Sequence, residues 1–269
     1  MRVHLPLNGP FDIIGDLHGC LDELKILLAR LGYMQDGAYY HPNGRTVVFL
    51  GDLADRGPHC LASVRTVKSM VDAGSALYVP GNHCNKLARY LIGRKVQVAH
   101  GMEKTVEEYK ALTARERDNF AALFLDLYNS APPYMILDKG NLVVVHGGIR
   151  EEMIGKVNHR IIDFCYYGDA TGMTAADGLP LRRDWALNYH GYPLIVYGHT
   201  PVPKPKFINN TIDIDQGCCM GGHLTSLRYP ELNLVQVKAL DVYYESPRFK
   251  PELPARLQNK PDWQQGCTS

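Results

Sequence analysis

Five short polar clusters each stand directly behind an apolar run of β type, and that repeated junction restricts the chain more than any other feature. The runs cover 11–14, 47–50, 76–79, 142–145 and 194–197. The clusters are Gly15-Asp16-Leu17-His18-Gly19, Gly51-Asp52-Leu53-Ala54-Asp55-Arg56-Gly57, Gly81-Asn82-His83-Cys84, His146-Gly147-Gly148 and Gly198-His199-Thr200. An α/β sheet gathers its ligands outside the carboxyl ends of its strands, so clusters at those positions converge. Carboxylate, imidazole and amide oxygen are donors that divalent Mn, Fe, Ni or Zn accept. One cluster alone describes an ordinary cap or turn equally well, because Asp, Asn and Gly are common loop residues. The ordered set of five points to a metal centre.

The text between the clusters alternates strand and helix. After the strand at 11–14, apolar residues at 21, 24, 27, 28 and 31 mark a helix that Gly32 stops. A strand at 46–50, a helix from about Cys60 to Val71 and a strand at 76–79 follow. This β-α-β-α-β rhythm argues for parallel strands joined by right-handed crossovers. Thr113-Ala114-Arg115-Glu116 reads as a capping box opening a helix to about Asn129, which Ala131-Pro132-Pro133 ends. Strands 134–138 and 141–145 flank a Lys139-Gly140 turn as a hairpin, and further strands are expected near 194–197, 206–214, 223–229 and 233–238. The fold class is α/β: a two-layered β-sandwich flanked by helices, with the metal site at one edge. Pro247, Pro251, Pro254 and Pro261 mark 245–269 as an extended tail, on the surface or disordered, behind one catalytic domain at 1–244. The chain shows no internal repeat and no Gly-x-x-x-x-Gly-Lys-Ser/Thr loop.

Composition narrows the partners. At 269 residues and 45% hydrophobic, the chain can bury one sizeable core. Its 29 basic and 28 acidic residues leave +1, without the basic excess that nonspecific binding of long nucleic acid usually needs. A short polyphosphate requires only a local cationic pocket. The seven cysteines, odd in number and without a Cys-x-x-Cys, fit free thiols in a reducing cytosol, with no disulfide partner. The N-terminus lacks the apolar core of a signal peptide, and no apolar run approaches membrane-spanning length. A cytoplasmic protein with no membrane partner is expected.

From about Phe11 to Pro230 the clusters resemble the phosphoprotein-phosphatase branch of the metallophosphoesterases, whose pattern reads GDxHG, GDxxDRG, GNHE, HGG and GHT. Within that branch the stretches Val79-Pro80-Gly81-Asn82-His83-Cys84-Asn85-Lys86-Leu87, Tyr167-Gly168-Asp169-Ala170-Thr171-Gly172, Arg182-Arg183-Asp184-Trp185 and Ile212-Asp213-Ile214-Asp215-Gln216-Gly217-Cys218 look like the asymmetrical bis(5′-nucleosyl)-tetraphosphatases of bacilli. Much of the same text is similar to the phosphatase domain of bacterial polynucleotide kinase-phosphatase. The first resemblance implies a dinuclear-metal hydrolase that cleaves diadenosine tetraphosphate to ATP and AMP through a metal-bound hydroxide. The second keeps open a phosphomonoesterase acting on phosphoproteins or on RNA 3′ (cyclic) phosphate ends.

The resemblance also implies roles. Asp16, His18 and Asp52 would hold one divalent ion, and Asp52, Asn82, His146 and His199 the other, with Asp52 as the bridge. Manganese or nickel is expected, with iron, zinc or cobalt as alternatives. The Asp-x-His spacing suits a turn after a strand, where alternate side chains leave on the same side. His83 matches the general acid, oriented and charged by Asp55; a structural histidine bonded to backbone is the alternative. Arg56 matches the phosphate-gripping arginine. A second arginine is either Arg182 or Arg183, and Lys86 lies near enough to meet a polyphosphate tail. Asp215 matches an acidic residue that orients a histidine from outside the ligand set. Cys84 replaces the family's more usual Glu and is expected to pack rather than ligate. Tyr39, Tyr40, Tyr166, Tyr167 and Trp185 are aromatic groups able to stack on a base.

Overall fold

A computed structural model describes residues 2–176 and 178–251. In chain order the strands and helices are β1 (Phe11–Ile14), α1 (Leu21–Leu31), β2 (Met34–Asp36), β3 (Ala38–Tyr40), β4 (Thr46–Phe49), α2 (Cys60–Asp72), β5 (Ala76–Tyr78) and α3 (Asn82–Leu91). Then come α4 (Met102–Ala111), α5 (Ala114–Ser130), β6 (Tyr134–Leu137), β7 (Leu142–Val145), α6 (His159–Tyr167), β8 (Ala170–Thr174) and β9 (Pro180–Arg182). β10 (Leu194–Tyr197), β11 (Lys206–Ile208), β12 (Thr211–Asp213), β13 (Asp215–Gln216), β14 (His223–Tyr229) and β15 (Asn233–Lys238) complete it.

Two sheets form the sandwich. The first runs β13-β14-β1-β4-β5, with β15 on β14, and the second runs β11-β12-β10-β7-β6. In the first sheet β1, β4 and β5 are parallel neighbours; in the second, β10 pairs parallel to both β7 and β12. The period of two along each strand explains the unbroken apolar runs, since both faces are covered. Phe11, Ile13, Val48, Leu50, Val144, Val196 and Ile212 fill the space between the sheets. Alternate residues face outward into two further cores. Ile14, Val47 and Phe49 meet the helical layer that includes Leu24, Leu28, Val64 and Phe124, while Val143, Val145 and Ile195 meet Phe164 and Trp185.

Helix boundaries follow the signals in the text. Gly32 ends α1 in the left-handed region at φ 93°. The Thr113 side chain accepts from Glu116 N–H and the Glu116 carboxylate accepts from Thr113 N–H, closing the capping box of α5. One expected strand is divided: 206–214 is a hairpin of β11 and β12, turning at Asn209, whose φ of 52° breaks the run. Asparagine tolerates that left-handed conformation better than most side chains. The tail expected at 245–269 falls in part outside the described residues. Within them, Phe249 is buried against Gly217, and Arg248 donates to the carbonyls of Leu179 and Pro180. Among the described residues no helix is long and apolar enough to cross a membrane.

Candidate metal centre

The carboxyl ends of the parallel strands meet at one edge of the sandwich, and each delivers one polar cluster. β1 leads to Asp16 and His18, β4 to Asp52, β5 to Asn82 at the start of α3, β7 to His146 and β10 to His199. Bonds across the two sheets fix the approach. The His146 ring Nδ1 lies 2.8 Å from the Leu50 carbonyl, and His199 N–H donates to Asp16 Oδ1 at 3.3 Å. Two motif glycines are required by this crowding. A Cβ on Gly81 would run into Asp52 Oδ1 and the His146 ring, and one on Gly198 into Asp16 Oδ1. His18, Asp52, Asp55, Arg56 and His199 all adopt positive φ, between 39° and 76°.

Two groups of ligand atoms result, each with its atoms within 4.8 Å of one another: Asp52, His146 and His199, and His18, Asp52 and His83. Asp52 belongs to both. His146 Nε2 lies 3.1 Å from Asn82 Oδ1 and 3.4 Å from Asp52 Oδ2, and His18 Nε2 lies 3.7 Å from the same Asp52 oxygen. Burial, with Asp215 and Asp52 close by, pushes the Asp16 carboxyl well above the usual range. Burial likewise pulls the imidazoles of His18, His146 and His199 below theirs. Asp16 Oδ2 and His199 Nε2 are buried without a hydrogen-bond partner. Crowded carboxylates, neutral imidazoles and orphaned donor atoms are the condition that divalent cations relieve. The residues suit divalent ions, but the grouping differs from the expected set: His83, expected as the proton donor, stands with His18 and Asp52, and Asp16 falls outside both groups.

Beside these groups His83 Nδ1 stands 2.6 Å from Asp55 Oδ2. Asp55 Oδ1 accepts from the Thr105 hydroxyl at 2.5 Å, and Thr105 Oγ1 in turn accepts from Asp55 N–H at 3.0 Å. Arg56 reaches His18 Nε2 at 2.9 Å and His83 Nε2 at 3.0 Å, and its guanidinium carbon sits 5.3 Å from the centre of the Tyr244 ring. Its backbone N–H donates to the Gly101 carbonyl.

The remaining candidates divide. Arg182 is half-buried, donates to the Tyr167 carbonyl at 2.9 Å and is close enough to lower both His146 and His199 electrostatically. Arg183 is exposed and turns to Asp169. Lys86 is half-buried and donates to the Ala99 carbonyl at 2.9 Å. Asp215 is buried beside Asp16, accepts from Gly217 N–H, and is raised by burial to about 6. Cys84 is buried, its thiol pushed up to about 12 by that burial, and it belongs to neither ligand group. Tyr166 and Trp185 are core residues of the second sheet, and Tyr40 lies in the outlying β2–β3 hairpin. Tyr167 receives a hydrogen bond from Asn85. Thr105 and Tyr244 were not legible as site residues. Thr105 carries no motif, and Tyr244 lies beyond the last cluster in a segment with no periodic pattern.

Comparisons with known proteins agree with this geometry. The family profile described as calcineurin-like phosphoesterase matches residues 9–203. A protein of Anoxybacillus flavithermus named bis(5′-nucleosyl)-tetraphosphatase PrpE [asymmetrical] is 50% identical over 242 residues, covering 90% of this chain and 98% of its own. Proteins of the same name from Halalkalibacterium halodurans and Bacillus subtilis are 54% and 49% identical, covering 84% and 90% of this chain and 93% and 99% of their own. Among solved structures, one provisionally assigned as a diadenosine tetraphosphatase superposes with a TM-score of 0.63 at 20% identity, over 89% of this chain and 98% of that one. A cold-active protein-tyrosine phosphatase of a Shewanella species gives 0.55 at 19% identity, over 89% and 80%, a likeness of fold.

Proposed function

Since the chain belongs to the calcineurin-like phosphoesterase family, we propose that it hydrolyses dinucleoside tetraphosphates asymmetrically, taking diadenosine tetraphosphate to ATP and AMP. The observation that carries this reading is the identity of about half of all aligned residues, over nearly the full length of both chains, with proteins named for that activity.

Asp16, His18 and Asp52 would hold one divalent ion, and Asp52, Asn82, His146 and His199 the other. When bound, the ions supply Lewis acidity toward phosphoryl oxygens and toward water. A donor set of oxygen and imidazole nitrogen without thiolate favours manganese or nickel over softer ions. Arg56 presents a planar fork to the phosphoryl group as its charge develops. Asp55 accepts the Nδ1 proton of His83 and so holds the ring with Nε2, the atom that Arg56 meets, toward the site, where it would pass a proton to the departing phosphate oxygen. Thr105 holds Asp55 in that orientation. Arg182 faces the same edge and is suited to a second phosphate of the bridge, with Lys86 next in line. Asp215 supports the Asp16 side of the centre from outside the ligand set. The thiol complement, six of the seven cysteines being described and all six of those free, supports a cytoplasmic location.

Product analysis tests the assignment. Diadenosine tetraphosphate should yield ATP and AMP and outrun a phosphopeptide and a 3′-phosphate RNA by at least about a hundredfold in kcat/KM, equivalent to two contacts of roughly 1.4 kcal/mol each. Two molecules of ADP would mean symmetrical cleavage, and faster turnover of the RNA end would transfer the chain to the repair phosphatases.

A further inference from the structure

We propose that Cys20, Glu23 and Cys218 form a second cation site, separate from the phosphoesterase centre and suited to a soft dication such as zinc. Cys20 directly precedes α1, Glu23 lies in the first turn of that helix, and Cys218 sits in the turn between β13 and β14. One ligand atom from each lies within 4.8 Å of the others. Their exposures are 0%, 0% and 2%, so the three donors converge in a space closed to solvent.

The carboxylate makes this cluster more than packed thiols. Glu23 Oε1 accepts from Leu240 N–H at 2.9 Å and from the Tyr243 hydroxyl at 2.8 Å, whereas Oε2 is buried without any partner. No basic side chain pairs with Glu23 among the described residues. The N-terminal turn of α1 offers it only partial positive charge. A carboxylate removed from water without a full counter-charge is costly. A cation between the two sulfur atoms and the carboxylate gives Oε2 the positive partner it lacks. Thiolate with carboxylate is a zinc-type donor set and differs from the oxygen and imidazole set of the phosphoesterase centre.

In chemical terms a dication enters, the two thiols release two protons to solvent, and both sulfurs and the carboxylate bind it, leaving the site with one net negative charge. Such a site exists only in the folded chain, so occupancy stabilises the fold. It would tie the loop that carries Asp16 and His18 to the turn that follows Asp215, and through Tyr243 to the C-terminal segment. This assignment stands apart from the substrate reading, because it concerns no residue that reading uses.

Cobalt(II) titration of the metal-stripped full-length chain tests it, followed by absorbance. Thiolate-to-cobalt charge transfer in the near ultraviolet can arise only where sulfur binds, and the phosphoesterase ligands include no sulfur. One equivalent should develop that band in the native protein and in Cys84→Ala. Cys218→Ser should lose it while keeping the visible bands of nitrogen- and oxygen-bound cobalt. Glu23→Gln should keep the band but weaken binding at least tenfold. Absence of the band in the native protein, or its persistence in Cys218→Ser, overturns the proposal in favour of plain core packing. If Cys218→Ser does not fold, unchanged cobalt affinity in Glu23→Gln has the same force.

Discussion

Strand β1 buries an acidic residue and also leads into one, and the two are treated in opposite ways. Asp12, within the strand, is fully buried, yet Arg45 meets both of its oxygens at 3.0 and 3.1 Å, Arg228 meets one at 3.0 Å, and the Tyr33 hydroxyl donates to the other. Arg45 goes on to Glu231 and to the Phe11 and Tyr229 carbonyls. Asp16, just past the strand, faces Asp52 and Asp215 and keeps an oxygen without a partner. A buried charge that is fully paired holds architecture together. A buried charge left among like charges is kept for something the protein binds. Position along one strand, four residues apart, separates scaffold from chemistry.

The sharpest way to break this contrast is Asp52→Asn. As the carboxylate shared by both ligand groups, its loss should abolish turnover and reduce retained metal in elemental analysis, with the fold intact by circular dichroism. Full turnover in that variant, or in a chelated native sample, would remove the two-metal reading.

Next in size is His83→Ala, expected to keep its metal yet lose about 10²–10⁴-fold on diadenosine tetraphosphate. The loss should shrink on p-nitrophenyl phosphate, whose leaving group needs little protonation. Equal losses on the two substrates would reject the proton-donor role. Arg45→Ala probes the opposite pole of the comparison. It should cost about 3 kcal/mol of stability in urea unfolding, the low end for a broken buried pair because Arg228 and Tyr33 remain on Asp12. Its kcat/KM should be unchanged, and a loss there would join the two regions that the contrast keeps apart.

Smaller effects refine the site. Arg182→Ala should lower kcat/KM roughly tenfold, the worth of one phosphate contact of about 1.4 kcal/mol, and Arg183→Ala should leave it unaltered. The reverse pattern would exchange their roles. Tyr244→Leu removes the ring beside Arg56 and should cost roughly two- to fivefold, as a cation–π contact of about 0.5–1 kcal/mol implies. Tyr244→Phe should retain activity, and an equal loss in both variants would trace the effect to the hydroxyl instead.

Much of this was legible in the text because it depends on local signals. Apolar runs covered on both faces located β1, β4, β7 and β10. Spacing located α1 and α2, and a capping box fixed α5. The convergence of Asp16, Asp52, Asn82, His146 and His199 followed from strand ends alone. What escaped depends on distant chain. Arg182 and Arg183 are adjacent and identical, so only the course of β9 distinguishes them. Thr105 meets Asp55 across 50 residues with no motif of its own. Tyr244 reaches Arg56 because its N–H and that of Tyr243 both donate to the Cys219 carbonyl, an anchorage no local pattern announces. Short polar elements such as the β2–β3 hairpin and β8–β9 carry too few apolar residues for periodicity to register.

The left-handed backbone at His18, Asp52, Asp55, Arg56 and His199 has a consequence for engineering. These five are half of the ten non-glycine residues with positive φ among those described. Each such conformation costs about 1–3 kcal/mol where a side chain is present. Glycine would be comfortable at every one of them and useless at most. Selection for heat tolerance alone would therefore be drawn toward replacements that silence the enzyme. A campaign to harden this chain should freeze those five positions and look for its gains in surface loops, where relaxing the backbone takes nothing from catalysis.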